Sequence, residues 1–264
     1  MVFIDPWGLE KLVVSGGAYH YGNGDYQYEF VDSALLQISI LGSGTTLLIA
    51  NAGWNEEQYN AIVQAAADRS INLVWFSNID NLTNYINTGG INGSGNRAND
   101  PITSFYVFSH GTDGFTGNYA ITFGLYAPEA DQLNWTNGDI SGIKGSAFAN
   151  GVTSVFYACR TGNTFSGNGN FAQLWSDKTG GTTYAYCGMG SVYVGRSDYS
   201  NILGTALERH GLGSAAFNAW RNARGEITVG PGEAWRFPET SYLTYLGIFN
   251  PTVVVPPPQP GPPR

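Results

Sequence analysis

This chain is organised around one stretch, Ser154-Val155-Phe156-Tyr157-Ala158-Cys159-Arg160. Its apolar run at 155–158 has the length and composition of a short buried β-strand. The residues Thr-Gly-Asn at 161–163 then form a turn. Cys159 is therefore expected at the carboxyl end of a strand, where open α/β sheets form their ligand crevices.

A second stretch follows the same pattern earlier in the chain. The run Ser-Phe-Tyr-Val-Phe-Ser at 104–109 predicts a buried strand, and His110-Gly111 begins the turn at its end. Cys159 follows His110 by 49 residues. Because parallel strands end at the same edge of a sheet, a histidine and a cysteine are expected together at the strand tips.

This pair of side chains has the chemistry of nucleophilic catalysis. A cysteine attacks as its thiolate, and a neighbouring histidine accepts the proton. The backbone N–H groups of Gly111 and Cys159 are the expected donors to an oxyanion, and Gly111 has no Cβ to keep a substrate carbonyl away. Considered separately, Cys159 could be a buried thiol of the core, and His110 could be an ordinary loop histidine. The two residues follow the same pattern of a strand followed by a turn, and this repetition favours catalysis.

The two motifs, Phe-Tyr-Val-Phe-Ser-His-Gly at 105–111 and Val-Phe-Tyr-Ala-Cys-Arg at 155–160, resemble the signatures of caspase-like cysteine peptidases. The spacing of histidine and cysteine is also similar to that of caspases. The resemblance implies a caspase–haemoglobinase fold, a three-layer α/β sandwich with a mostly parallel central sheet. It makes Cys159 the nucleophile and His110 the general base or acid, and it implies that Met189, Gly190 and Ser191 bind substrate backbone. It implies neither a metal nor an organic cofactor.

One departure from caspases concerns specificity. Caspases carry Gln-Ala-Cys-Arg-Gly, whereas this chain has Tyr-Ala-Cys-Arg-Thr-Gly at 157–162. A preference for aspartate before the cleaved bond is therefore not implied.

The first residues carry a second resemblance. By local rules Asp5-Pro6-Trp7-Gly8-Leu9 is a turn. It is also similar to the Asp-Pro-x-Gly-Leu signature that closes the core of RHS-repeat proteins, whose strand cocoon encloses a C-terminal payload. The resemblance divides the chain into a junction at 1–9, a peptidase domain at 10–250 and a proline-rich tail at 251–264. It implies a secreted effector toxin that acts on protein substrates in the target-cell cytosol, with the RHS cocoon and an immunity protein as partners.

Composition limits the other possibilities. Of 264 residues only 12% are charged and 42% are hydrophobic, which indicates a globular domain. The formal net charge of −8 disfavours a nucleic-acid partner. No apolar run approaches the ~20 residues of a membrane span, and the start does not have the pattern of a signal peptide. Cys187 lies in an apolar run and is interpreted as a structural thiol, since a disulfide to Cys159 would remove the nucleophile.

Strands and helices alternate along the rest of the chain, which predicts a parallel sheet. Strands are expected at 11–15, 45–50 and 72–77, and helices from Asn55, with a capping box to Gln58, and over 79–87 up to the glycines at 89–90. Asp32 is expected to cap a helix that runs to Leu41. The predicted loops are 91–100, exposed, and 112–151, irregular with a hairpin at 119–126. Later expectations are helices at 171–178, 200–209 and 214–224, and strands at 182–194 and 242–248.

Two further motifs have simpler structural interpretations. Gly16-Gly17 follows a strand, but the dinucleotide-binding and Walker patterns do not follow it, so it is interpreted as a turn. His210-Gly211 repeats the His-Gly pair, but it follows a helical pattern and fits a helix end. His110 is therefore the preferred base.

Two alternative functions remain open in the sequence. The same dyad could serve a glutamine deamidase or transglutaminase, although papain-like versions place the cysteine before the histidine. The domain could also be a caspase-like binding module without turnover, although such a module needs neither His110 nor Cys159.

Overall fold

The computed structural model describes residues 9–18, 28–111, 119–124, 132–159, 161–162, 171–186 and 246–249. Several sequence predictions lie outside these residues. They are the RHS-like junction, the substrate-binding residues Met189, Gly190 and Ser191, the thiol Cys187, the rival histidine His210, the helices at 200–209 and 214–224, and the proline-rich tail.

The described part of the chain alternates strands and helices. The strands are β1 (Glu10–Ser15), β2 (Thr45–Ala50), β3 (Asn72–Phe76), β4 (Ile102–Phe108), β5 (His110–Gly111), β6 (Tyr119–Thr122), β7 (Asn134–Thr136), β8 (Phe148–Tyr157), β9 (Thr182–Tyr186) and β10 (Leu246–Phe249). The α-helices are α1 (Glu29–Leu41), α2 (Glu56–Ala67), α3 (Ile79–Thr88) and α4 (Phe171–Thr179).

Seven of these strands form the central sheet, in the order β10-β9-β8-β4-β1-β2-β3. Six are parallel, and β10 is antiparallel to β9. The chain builds outward from β1 to β3, returns to β4 beside β1, and builds outward again through β8 and β9. This doubly wound order has its switch point between β1 and β4, and it confirms the expected α/β class with a mostly parallel sheet.

Helices cover both faces of the sheet. On one face α1 and α2 pack through residues such as Val31, Leu35 and Ile62. On the other face α3 and α4 pack through residues such as Leu82 and Trp175. Strands buried on both faces are apolar at successive positions, which is why the middle of β1 and the end of β2 appear in the sequence as the apolar runs Leu12-Val13-Val14 and Leu47-Leu48-Ile49-Ala50.

Capping chemistry sets the bounds of two helices as expected. The Asn55 side chain accepts a hydrogen bond from the Gln58 amide at 2.8 Å, and the Gln58 side chain accepts one from the Asn55 amide at 3.0 Å. Asn78 caps α3 in the same way through the Asn81 amide, and Gly89 ends α3 in the left-handed conformation at φ 84°.

Two helix predictions were wrong in detail. Helix α1 begins at Glu29, so Asp32 lies inside it and is buried, and no side chain caps its start. In α2 the spacing of Tyr59, Ile62, Val63, Ala66 and Ala67 predicts that they share one apolar face. Tyr59 and Val63 are instead 36% and 38% exposed, and the buried residues are Ala61, Ile62, Ala65 and Ala66. Tyr59 instead stacks on Trp75 of the edge strand β3, at 4.5 Å between ring centroids.

The segment between the predicted dyad residues is more regular than expected. Strands β5, β6 and β7 form a second, antiparallel sheet, and short 3₁₀ turns follow at Asp139–Gly142 and Gly145–Ala147. The hairpin expected at 119–126 corresponds to β6, paired with β7. Ile121, Phe123 and Trp135 are fully buried in the core beneath α3 and α4. Strands of two to four residues with interspersed glycine and asparagine show little periodicity, so they could not be recognised in the sequence.

The prediction that the loop at 91–100 is exposed was also wrong at one position. Arg97 is 4% exposed, and its guanidinium forms an ion pair with Glu10 at the start of β1. Its Nε and Nη2 groups donate to the carbonyl oxygens of Ile86 and Tyr85, each at 3.0 Å. Glu10 Oε1 also accepts from Thr46 Oγ1 at 2.6 Å and from the Tyr85 hydroxyl at 2.9 Å. Burial lowers the pKa of Arg97 to about 10, which leaves it charged at neutral pH.

Among the described residues, no helix combines the length and the apolar character that crossing a bilayer requires.

Candidate active site

The predicted dyad residues follow two neighbouring parallel strands. Strands β4 and β8 are paired in register as far as Phe108 and Tyr157. His110 and Cys159 each lie two residues beyond that last pair. The Ser109 amide donates to the Tyr157 carbonyl oxygen at 3.4 Å, which continues the contact past the paired strands. Both residues therefore lie at the same carboxyl-terminal edge of the sheet.

The two strand ends meet backbone to backbone. A Cβ added to Gly111 would overlap the carbonyl oxygen and the amide nitrogen of Cys159, and would lie 2.7 Å from the carbonyl carbon of Ala158. The space beside the Gly111 Cα, expected from the sequence to admit a substrate carbonyl, is thus filled by the Cys159 backbone. Glycine is required here because only a residue without Cβ lets the two segments approach this closely.

The last paired residues of β4 and β8 lie on the same face of the sheet. Phe108 and Tyr157 lie on the face covered by α1, where their rings stack at 4.8 Å between centroids. His110 is two residues after Phe108, and Cys159 is two residues after Tyr157. The ring contact with Phe30 of α1 places His110 on that same face, whereas Cys159 lies in the turn beyond β8.

His110 is partly buried, just beyond the end of β4. It begins β5, where it pairs with Thr122 of β6. The ring of Phe30, from α1, makes an edge contact with the imidazole, at 4.9 Å between centroids and 90° between planes. Burial lowers the pKa of His110 from 6.5 to about 4 because the charged imidazolium loses its hydration. At neutral pH the imidazole is therefore uncharged and has one nitrogen able to accept a proton.

Cys159 lies in a turn that is tied to the following helix. Its thiol is not in a disulfide, and the residue is partly exposed. Thr161 Oγ1 donates to the Ala158 carbonyl oxygen at 2.9 Å, and the Thr161 carbonyl accepts from the Ala172 amide in α4 at 3.1 Å. These bonds hold the turn that contains Cys159 against α4.

Three residues that support His110 were missed in the sequence. They are Phe30, Ser109 and Gly16. Ser109 Oγ donates to the Thr122 carbonyl oxygen at 2.6 Å and so joins β4 to the small sheet. A Cβ at Gly16 would lie 2.9 Å from both Phe30 Cδ2 and Ser109 Oγ. The sequence signal was the pair Gly16-Gly17 directly after β1, at the switch point of the sheet, where ligand crevices form.

The same glycine turn is closed to a phosphate. The amides of Gly16 and Gly17 donate to the carbonyl oxygens of Phe108 and Phe123, each at 2.8 Å, and the Ala18 amide donates to Ala52 at 2.9 Å. A phosphate cradle needs such N–H groups unpaired and aimed at the ligand. The turn interpretation is therefore confirmed, and a nucleotide site at this position has no support.

Within the part of the chain that the structure describes, no group of three or more His, Cys, Asp and Glu side chains could hold a metal ion. No protein-family model, no curated protein and no solved structure matches this chain.

Proposed function

We propose that this chain is a cysteine endopeptidase in which Cys159 is the nucleophile and His110 is the general base. The observation that carries the proposal is the backbone contact between Gly111 and Cys159, at the ends of two paired parallel strands. Two residue types that together perform acyl transfer meet at the edge of the sheet where ligands bind in open α/β folds.

The proposed reaction begins with a neutral dyad. His110 accepts the proton of the Cys159 thiol as Sγ bonds to the carbonyl carbon of the scissile peptide. The backbone N–H group of Cys159 stabilises the resulting oxyanion. The imidazolium then donates its proton to the leaving amine nitrogen, and the C–N bond breaks. A water molecule attacks the thioester with His110 as its base, which releases the acid and restores the thiol.

The environment of His110 favours the second proton transfer. A pKa of about 4 makes the partly buried imidazole a weak base, so it takes the thiol proton only as the Sγ–C bond forms. Once protonated, the imidazolium is a strong acid, because burial disfavours its charge. It therefore passes the proton readily to the leaving amine.

The finer assignment of the fold is also a proposal. We infer a caspase–haemoglobinase-like sandwich, supported by the mostly parallel sheet, by helices on both faces and by adjacent strands ending in histidine and cysteine. We further propose that the domain is the toxin payload of an RHS-type protein. Its support is the Asp-Pro-x-Gly-Leu motif at 5–9, which ends directly before β1 at Glu10. An RHS cocoon, an immunity protein and a cytosolic protein substrate follow from that proposal.

A labelling and cleavage experiment tests the peptidase. The purified protein and its Cys159→Ala, His110→Ala and Cys187→Ala variants are incubated with a thiol-reactive peptide probe and, separately, with an unfolded protein substrate. Circular dichroism checks that each variant is folded. The wild type and Cys187→Ala are expected to label and to cleave, and Cys159→Ala to do neither. His110→Ala is expected to react at least about 100-fold more slowly, the usual contribution of a general base.

Mass spectrometry of the substrate separates the alternatives. New peptide termini support cleavage, whereas a mass increase of about 1 Da on glutamine, the exchange of an amide for an acid, would identify a deamidase with the same dyad. Cleavage by Cys159→Ala at the wild-type rate, or probe attached only to Cys187, would refute the assignment.

A further inference from the structure

The residue that contacts the His110 ring from α1 has no place in the reaction described so far. Phe30 is the second residue of α1 and is 3% exposed. Its ring belongs to the core between α1, α2 and the sheet. Its edge contact with the His110 imidazole, at 4.9 Å and 90°, is of the T-shaped kind that aromatic rings prefer.

The turn after β1 fixes the position of the Phe30 ring. Gly16 leaves room for it, since a Cβ there would lie 2.9 Å from Phe30 Cδ2 and 3.4 Å from Cε2. The Gly16 amide is itself bonded to the Phe108 carbonyl oxygen at 2.8 Å, so the turn is anchored to β4. His110 follows Phe108 by two residues, at the start of β5. The positions of Phe30 and His110 are therefore both fixed relative to the end of β4.

We propose that Phe30 is a positioning residue for the peptidase reaction, holding the His110 imidazole in one orientation and excluding water from it. This inference depends on the proposed function, because it assigns Phe30 a role through His110. Phe30 touches no reacting atom in the mechanism. Phe30 keeps the His110 imidazole uncharged and in one orientation until the thiol proton is transferred.

The physical basis is the desolvation of His110. Burial lowers the pKa of His110 to about 4, and Phe30 supplies apolar surface directly against its ring. The titratable groups on the elements around this contact are Tyr28 and Asp32 from the start of α1 and Tyr157 and Cys159 from the end of β8. All of them remain when Phe30 is shortened. Truncation of the ring therefore changes the hydration of the imidazole and leaves these groups in the chain.

Titration of His110 by NMR provides the direct test. The chain has three histidines, so the His110 ring signal is assigned from its loss in His110→Gln. Phe30→Ala and Phe30→Leu are compared with the control Leu35→Ala, which shortens a residue that is 1% exposed in the same helix and the same core. The pH dependence of probe labelling is measured on the same proteins.

The wild-type signal is expected to titrate near pH 4. Phe30→Ala is expected to raise this midpoint by about 1–2 pH units toward the ordinary value, because water enters beside the imidazole. Phe30→Leu is expected to raise the midpoint by a smaller amount. This variant provides the test if Phe30→Ala does not fold. Leu35→Ala is expected to lower stability while leaving the midpoint unchanged. The low-pH limb of the labelling profile should follow the NMR midpoint.

Two results would overturn the inference. One is an unchanged His110 midpoint in the folded Phe30 variants, and the other is an equal shift in Leu35→Ala. A wild type that the probe does not label would remove the peptidase function, and with it the positioning role, even if the midpoint moved in Phe30→Ala. The NMR titration needs no turnover, so failure of the Phe30 contact and failure of the peptidase are distinguishable.

Discussion

At the amino-terminal edge of the sheet, Glu10 and Arg97 form a buried ion pair whose remaining polar atoms bond to Thr46, Tyr85 and Ile86. At the carboxyl-terminal edge, His110 and Cys159 are held by backbone packing and by the ring of Phe30. The first edge pairs opposite charges, and the second keeps its histidine uncharged. The first arrangement pairs its charged groups with each other and with hydrogen-bond partners, whereas the second places an uncharged histidine and a partly exposed cysteine at neighbouring strand ends.

This contrast shows where a fold of this kind is stabilised and where it can perform chemistry. Burying a charge is costly unless a partner and hydrogen bonds compensate for it, so the amino-terminal edge tolerates little change. A buried neutral imidazole carries no such cost until it is protonated. Four predictions test whether the two edges have these separate roles.

The largest expected effect is at the amino-terminal edge. Arg97→Met leaves the Glu10 carboxylate buried without its partner, and we expect the free energy of unfolding to fall by about 3–5 kcal/mol. Urea denaturation at pH 7 measures it. Lys144→Met, which removes an exposed cation, is the control and should change stability by less than about 0.5 kcal/mol. Equal midpoints for the two variants would show that the ion pair is dispensable.

The second effect is the pH dependence at the carboxyl-terminal edge. The pKa of His110 is about 4 in the folded protein and 6.5 in the unfolded chain. On acidification the unfolded chain binds the proton first, so this group lowers stability progressively from pH 6.5 down to 4. The full loss is about 3 kcal/mol.

Comparison with His110→Gln isolates this contribution, because the variant keeps every other titrating group. Denaturant midpoints between pH 7 and pH 4 should fall more steeply for the wild type than for His110→Gln. Parallel slopes would mean that the histidine is hydrated in solution.

The third prediction concerns the contact between the two strand ends. Gly111→Ala places a methyl group where the Cys159 backbone lies, so the turn must move. A displacement of about 1 Å is expected to slow probe labelling of Cys159 on the order of 100-fold. The control is Gly142→Ala, where the nearest atom to the new methyl is Thr83 Cγ2 at 3.8 Å. If both variants label at the wild-type rate, the strand ends do not meet as described.

The smallest expected effect returns to the amino-terminal edge. Thr46→Val removes one hydrogen bond to Glu10 and one from Asn72, with little change of shape. We expect a loss of about 1 kcal/mol in the free energy of unfolding and no change in probe labelling. A slower labelling rate in folded Thr46→Val would show that the two edges are coupled.

Much of the fold could be predicted from the sequence because its signals are local. The strand over 45–50, the capping box from Asn55 to Gln58 and the glycine end of α3 were each visible within a few residues. The small sheet of β5, β6 and β7 was largely missed, because its strands are too short to show a period. The buried face of α2 was placed imperfectly, because its orientation depends on β3 rather than on its own pattern.

By itself, the sequence determined the α/β alternation and the location of a histidine and a cysteine at the ends of two apolar runs. These are properties of neighbouring residues, set by backbone preference and hydrophobic pattern. Only the tertiary structure decided that β4 lies beside β8, that Phe30 contacts the His110 ring, and that Glu10 meets Arg97 across 87 residues of chain. Such contacts depend on sheet order and packing, which bring together segments whose separation in sequence carries no local signal.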